Sequence, residues 1–396
     1  MRFLYGLIFL LSIGISPLSH AENYVRSLPI ICSKDSISHP QFDRRFSQYM
    51  ETWQIPGAAV TIMKNNKILL SCGYGWADVE GRQPVQPDSL FRIGSISKTI
   101  TALTILQLAQ QKKLQLDDKV FAKPITIKNL LQMSSGWYTD RPQDYDPLMG
   151  PWSSEMLKQL NYQTPPTCEA AVRMMMDTPL QFIPGQKYSY SNLNYCMLGL
   201  IINKIIQQAG SAGYEIYIKR NLLAPIGIYD MQLGESQFEN KANNEVKYYY
   251  SPDNNVFKDI DRILDGLPYS QTDILKKNYA DGGWIASAPD LAKLLQALSN
   301  NKILSKEMLA IMLAKPSYAK DSTKYPAMGW DEVGYQNGQR YFLKTGRFTG
   351  TQALIIQRSD GTSYTVLFNY KPSDMELSLK QLREILINFS ISDTIS

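Results

Sequence analysis

Apolar residues recur at helical spacing near the start of the chain, where Phe42, Phe46, Tyr49, Met50 and Trp53 form one stripe ending at Pro56-Gly57. Ala58 to Met63 and Lys67 to Gly73 flank Asn65-Asn66, a pattern that predicts a β-hairpin. A long amphipathic helix is expected from about Ser95 to Gln111, with Ile96, Ile100, Leu103, Leu106 and Leu108 on its apolar side. From roughly 125 to 300 the pattern is largely helical, broken by turns such as Pro165-Pro166 and Pro184-Gly185. Strand signals return at Arg340 to Lys344, Thr351 to Gln357 and Ser363 to Asn369, with Asp360-Gly361 as the turn between the last two. A closing helix from Asp374 to Phe389 carries Leu379, Leu382, Ile385, Leu386 and Phe389.

Strands near both ends with helices between them predict an α+β fold. Its antiparallel sheet would be built from both chain ends and flanked by helices, with a helical subdomain inserted. The α/β part is expected at about 22–120 and 300–396, and the helical subdomain at about 121–299. Tyr248-Tyr249-Tyr250 reads first as a half-exposed strand or loop, and alternatively as a wall of a substrate cleft.

The first 21 residues have a different pattern. Met1-Arg2 precedes an apolar run of about 13 residues, followed by Ser19-His20-Ala21 with small residues where a signal peptidase would cut. The run is short for roughly 30 Å of hydrocarbon. It predicts a signal peptide, a mature chain starting at Glu22, and export across the inner membrane to the periplasm. No later segment is apolar enough to predict a stable membrane span.

Composition narrows the function classes. Of 396 residues, 44% are hydrophobic and 19% charged, as in a globular protein. Lys+Arg 41 against Asp+Glu 36 gives a net charge of only +5 with no like-charge block, so no nucleic-acid partner is implied. Histidine occurs twice, and His20 lies in the signal segment, which leaves His39 alone in the mature chain. That speaks against a Ser-His-Asp triad, an H-E-x-x-H zinc protease and a multi-histidine metal site. Cys32, Cys72, Cys168 and Cys196 match no zinc spacing. Disulfides and buried thiols both stay open, and four cysteines allow three pairings.

Three short motifs could carry chemistry. Ser95 and Lys98 lie three apart where a loop becomes a helix, so both fall on one face of its first turn. A serine hydroxyl needs a neighbouring base, and a helix N-terminus offers N–H groups to a developing oxyanion. A second such spacing, Ser317 to Lys320, has no helix behind it and reads as chance. Tyr190 and Asn192 follow Pro184-Gly185; a phenol can relay protons, and an amide side chain can both donate and accept. Lys344-Thr345-Gly346, followed by Arg347, joins a cation and a hydroxyl suited to a carboxylate with a glycine that permits close approach. Taken singly, each reads as ordinary structure: a helix start, a cap, a solvated strand end.

The order of the three motifs resembles that of the penicillin-recognising serine enzymes. The chain is similar to the class C β-lactamase and low-molecular-weight penicillin-binding protein family from about residue 45 to 370. Phe91 to Lys98 resembles the nucleophile segment, and Ile125 to Leu131 leading to Ser135-Gly136 resembles a second family element. Pro184-Gly185 to Asn192 and Gly282 to Asp290 match as well. The resemblance implies a β-lactamase/transpeptidase-like fold with the site between sheet and helical subdomain, and no metal or organic cofactor.

It also implies roles. Ser95 would be the acylated nucleophile, with Lys98 and Tyr190 sharing the proton transfers and Asn192 holding the substrate amide. Lys344 would tune the tyrosine, Thr345 would face a substrate carboxylate, and the amides of Ser95 and Arg347 would form an oxyanion hole. Three departures bear on substrate. Met133 stands where relatives have histidine, Leu343 precedes the K-T-G, and residues 236–280 match no family pattern. The implied activity is hydrolysis of D-alanyl peptides of the cell wall or of β-lactams. A carboxylesterase is the alternative on the same scaffold, although the intact K-T-G speaks against it. A non-catalytic binding module is the alternative from another class.

Overall fold

The structure is a computed structural model that describes residues 28–138, 148, 167–236, 238–251, 257–260 and 274–389. The signal segment and the start at Glu22 lie outside the described residues, as do Pro165-Pro166 and much of 236–280. The main sheet contains β1 (Ile30–Cys32), β2 (Gly57–Lys64), β3 (Lys67–Asp78), β4 (Tyr325–Ala327), β5 (Trp330–Gln336), β6 (Gln339–Phe348), β7 (Thr351–Arg358) and β8 (Thr362–Phe368). Their order is β1-β3-β2-β8-β7-β6-β5-β4, every neighbour antiparallel, with the short strand Gln83–Pro84 added to β3. Each expected strand is present, and β2 joins β8 from Ala58↔Phe368 to Lys64↔Thr362, so both chain ends build one sheet.

Local chemistry explains the hairpins. Asn65 and Asn66 both adopt left-handed φ, 49° and 65°, which matches the twist a two-residue hairpin needs. Asparagine tolerates that region better than most residues. The K-T-G was expected at a strand end, but β6 continues to Phe348 because Phe348 still pairs with Thr351 of β7.

Side-chain alternation divides the core between the two sheet faces. Ala58, Val60, Ile62, Leu354, Ile356, Val366 and Phe368 face helices α1 (Pro40–Thr52) and α6 (Met375–Ile387), meeting Phe42, Phe46, Tyr49, Met50, Leu379, Leu382 and Leu386. Ala59, Ala353, Ile355 and Leu367 lie on the opposite face, in the larger core that includes α2 (Ser97–Gln110) and α5 (Ala288–Ser299). Because both faces are covered, β2, β7 and β8 are buried along nearly their whole length. The helical part between includes α3 (Cys168–Asp177) and α4 (Asn192–Ile206).

The open question on the cysteines resolves as two disulfides. Cys32–Cys72 links cross-strand partners of β1 and β3, and Cys168–Cys196 ties α3 to α4. Among the described residues no helix is long and apolar enough to cross a membrane, and no group of acidic, histidine or cysteine residues could hold a metal.

Candidate active site

Ser95 sits at a forced turn. Gly94 has φ +49°, and a Cβ there would lie 2.6 Å from the Arg347 nitrogen, so this loop and β6 touch backbone to backbone. Gly346 is closed the same way, since a Cβ on it would meet the Ile93 carbonyl oxygen at 1.8 Å. Glycine at both positions presses the nucleophile segment against the strand carrying Lys344 and Thr345. A 3-10 turn, Gly94–Ile96, then runs into α2.

That helix differs from the expected amphipathic one: it is buried from Ser97 through Leu106. Its polar side chains bond inward, with Thr99 donating to the Gly329 carbonyl at 2.8 Å and Thr104 to the Ile100 carbonyl at 2.9 Å. Ser97 accepts the Trp284 amide at 3.2 Å. A helix enclosed on all sides gives Ser95 and Lys98 a rigid base.

The first two motifs converge. Ser95 Oγ lies 2.6 Å from the Tyr190 hydroxyl and accepts from Lys98 Nζ at 3.1 Å. Lys98, fully buried, also donates to Asn192 Oδ1 at 2.6 Å and to the Asp281 carbonyl at 2.7 Å, with the Asp281 carboxylate 4.0 Å away. Asn192 is not a cap: Ser191 holds that position on α4, leaving the Asn192 side chain for the lysine. Two cations flank the tyrosine ring, Lys98 at 5.2 Å and Lys344 at 5.3 Å from its centre. Burial raises the Tyr190 phenol above its ordinary value; Lys344 is the largest influence in the other direction, and Asp331 works against it.

The third motif faces the same space. Ser95, Tyr190, Thr345, Arg347 and Asp331 line one open cleft of about 1610 Å³. The Thr345 amide points away from β7, donating to Asp331 Oδ2 at 2.8 Å. Amides two apart along a strand point the same way, so that of Arg347 also points away from β7. The Arg347 side chain is exposed, and Gly346 is buried.

Two aspartates at this centre have no role in the sequence reading. Asp281 precedes the Gly282-Gly283-Trp284 element, which was the available signal; Asp331 follows Trp330 with no local signal at all. The second S-x-x-K falls on a short 3-10 turn, Ser317–Ala319, with no long helix behind it, and its Tyr318 ring lies 6.2 Å from that of Tyr188. Tyr248 is structural: its hydroxyl accepts the Arg92 amide at 2.7 Å and donates to Glu245 at 2.9 Å. His39 is buried against Phe389 between α1 and α6.

The sequence profile of the family described as Beta-lactamase matches residues 42–387. The chain belongs to the β-lactamase family. Among curated relatives of this family member, protein flp of Staphylococcus aureus (strain COL) is 31% identical over 217 residues, which is 52% of this chain and 40% of flp. The match thus spans about two fifths of that relative's length. Among solved structures, the octameric penicillin-binding protein homologue from Pyrococcus abyssi superposes with TM-score 0.69 at 23% identity, over 88% of this chain and 77% of that one. The D-amino acid amidase from Ochrobactrum anthropi SV3, complexed with L-phenylalanine amide, gives TM-score 0.66 at 18% identity, over 88% and 99%. These likenesses establish the shared fold: a large antiparallel sheet with helices.

Proposed function

We propose that the chain is an exported serine hydrolase that transfers the acyl group of a D-alanyl-type donor or a β-lactam to Ser95 and then to water. The observation that carries this reading is the placement of Ser95 Oγ between the Tyr190 hydroxyl, 2.6 Å away, and Lys98 Nζ, 3.1 Å away. Ser95 Oγ attacks the scissile carbonyl as Lys98, entering the step as the neutral amine, takes the serine proton directly or relayed through the Tyr190 hydroxyl. The Oγ–acyl bond forms, the bond to the leaving nitrogen or oxygen breaks, and the same pair returns the proton to that atom. Water then retraces the path and frees Ser95. The Ser95 and Arg347 amides stabilise the tetrahedral oxyanion. Asn192 orients the substrate amide, while Lys344 favours the tyrosine's anionic form. Thr345 and Gly346 line the strand edge along which the donor lies.

Export is supported by the signal-like first 21 residues and by both disulfides, which persist in oxidising compartments. No cofactor takes part in the proposed chemistry, and the partner is a small molecule or a cell-wall peptide.

The test is intact mass over time after mixing with a p-nitrophenyl ester of an N-acyl-D-alanine, and in parallel with benzylpenicillin, beside Ser95→Ala. Ester turnover or an adduct that requires Ser95 is expected; equal turnover by Ser95→Ala rejects the mechanism. The penicillin arm sorts the branches. A persistent adduct indicates a peptidase, destroyed penicillin a β-lactamase, and intact penicillin beside ester turnover an amidase or esterase.

A further inference from the structure

The Asp331 carboxylate is bonded to three donors on the strand that faces Ser95. Oδ1 accepts from the Lys344 ammonium at 2.5 Å, and Oδ2 accepts from the Thr345 amide at 2.8 Å and the Thr345 hydroxyl at 2.7 Å. The last ladder pair between β5 and β6 is Glu332↔Leu343, so Asp331 lies one step beyond it, alongside Lys344. Its side chain is 26% exposed and lines the cleft that contains Ser95. Burial would raise its carboxyl, but the Lys344 charge and the three hydrogen bonds outweigh that and hold it below the usual range. It is an anion at neutral pH.

A hydroxyl, an amide and an ammonium converging on one carboxylate make up a carboxylate-binding site, and here the protein's own side chain fills it. A second carboxylate brought to the same donors would meet Asp331 at like-charge contact and would have to displace it. We propose that Asp331 determines specificity by occupying the place of a substrate anion, so that the enzyme takes acyl donors whose leaving group carries no carboxylate. The occupant this favours is a neutral amide or ester leaving group. The proposal rests on the Ser95 acyl-enzyme reading and narrows it, since D-alanyl-D-alanine peptides and penicillins both present a carboxylate on the leaving side.

The experiment uses two thioesters differing only in that charge, N-benzoyl-D-alanyl thioglycolate and its thioglycolamide counterpart. Each kcat/KM is divided by the thioester's hydroxide-catalysed rate. Since like charges facing each other in a site are strongly disfavoured, the wild type should prefer the neutral thioester by about tenfold or more. Asp331→Asn should bring that ratio towards one, chiefly by lowering KM for the anionic substrate. A side chain that merely braced the strand would change both substrates equally. A wild-type ratio at or below one overturns the proposal even if Asp331→Asn does not fold, and so does a ratio unchanged by Asp331→Asn. Failure of the parent reading looks different: neither thioester would then show turnover that Ser95→Ala abolishes, and both proposals would fall together.

Discussion

Met133 Sδ lies 3.5 Å from the Ser191 amide nitrogen and 3.5 Å from Asn194 Nδ2, accepting from both at the start of α4. The Met133 carbonyl also accepts the Ser189 amide at 2.8 Å. Met133 thus braces the segment that delivers Tyr190 and Asn192. Met133→Leu keeps the volume and removes the thioether acceptor that both donors use. It should cost about 1 kcal/mol of stability and lower Tm by roughly 2 °C, with a larger proportional loss in kcat as Tyr190 drifts. Met133→His restores an acceptor and should recover most of both. Scanning calorimetry and ester turnover on the two variants check this; equal kcat for Leu and wild type would show that the segment needs no brace.

Lys98 has bonds to Ser95, Asn192 and the Asp281 carbonyl, and only a straight, single-headed cation satisfies that geometry. Lys98→Met preserves the stem and removes the head. Acylation of Ser95 should slow by about a hundredfold to ten-thousandfold, the range for losing a general acid–base group. Lys98→Arg should fare no better, because a planar fork does not fit three convergent acceptors. Single-turnover burst kinetics with the p-nitrophenyl ester separate acylation from deacylation. A burst rate in Lys98→Met within a few-fold of wild type would assign the proton transfer to Tyr190 alone.

The residues that meet at Ser95 were legible because each motif is local: three positions on one helical turn, two flanking a helix start, three along a strand. The strands and end helices were legible from periodicity, and the hairpins from Asn65-Asn66 and Asp360-Gly361. What escaped depends on distance in the chain. Asp331 meets Lys344 and Thr345 only because β5 pairs with β6 in one register, and a slip of one residue would turn it to the other face. Burial of α2 from Ser97 through Leu106 was hidden because the polar Thr99 and Thr101 show no inward role until their carbonyl partners, Gly329 and Ala280, are known. The Cys32–Cys72 pairing likewise follows from β1 adding to β3, which no spacing encodes.

The disulfides make a separate prediction. The cysteines of Cys168–Cys196 are 28 residues apart, and this link holds α3 against the helix that begins at Asn192. In the chain-entropy treatment, removing such a link costs about 3–4 kcal/mol. The Cys168→Ala/Cys196→Ala variant should therefore melt well below wild type, whereas its kcat at low temperature should stay within a few-fold. Oxidised and reduced wild type should differ in the same direction. Identical melting with and without reductant would show that the bridges do not form in the isolated protein, and would remove one support for export.

Alkaline titration reads the buried phenols. Tyr49, Tyr195, Tyr214, Tyr279 and Tyr318 are all raised well above the ordinary phenol value, in each case chiefly by burial. Tyr74 is raised for the same reason, reinforced by its hydrogen bond to Asp43 at 2.7 Å. In the unfolded chain these groups ionise near 10. The native state therefore binds more protons above that pH, and stability must fall as pH rises. Their contribution is complete below about pH 10 and declines through the interval between the unfolded and the raised folded values. Absorbance at 295 nm should show none of these buried phenols ionising near 10 while the fold holds. They should appear in one cooperative step coincident with loss of near-ultraviolet circular dichroism. A smooth, fully reversible titration of every tyrosine with the fold intact would contradict the closed packing behind Lys98, whose Nζ lies 6.0 Å from the centre of the buried Tyr195 ring.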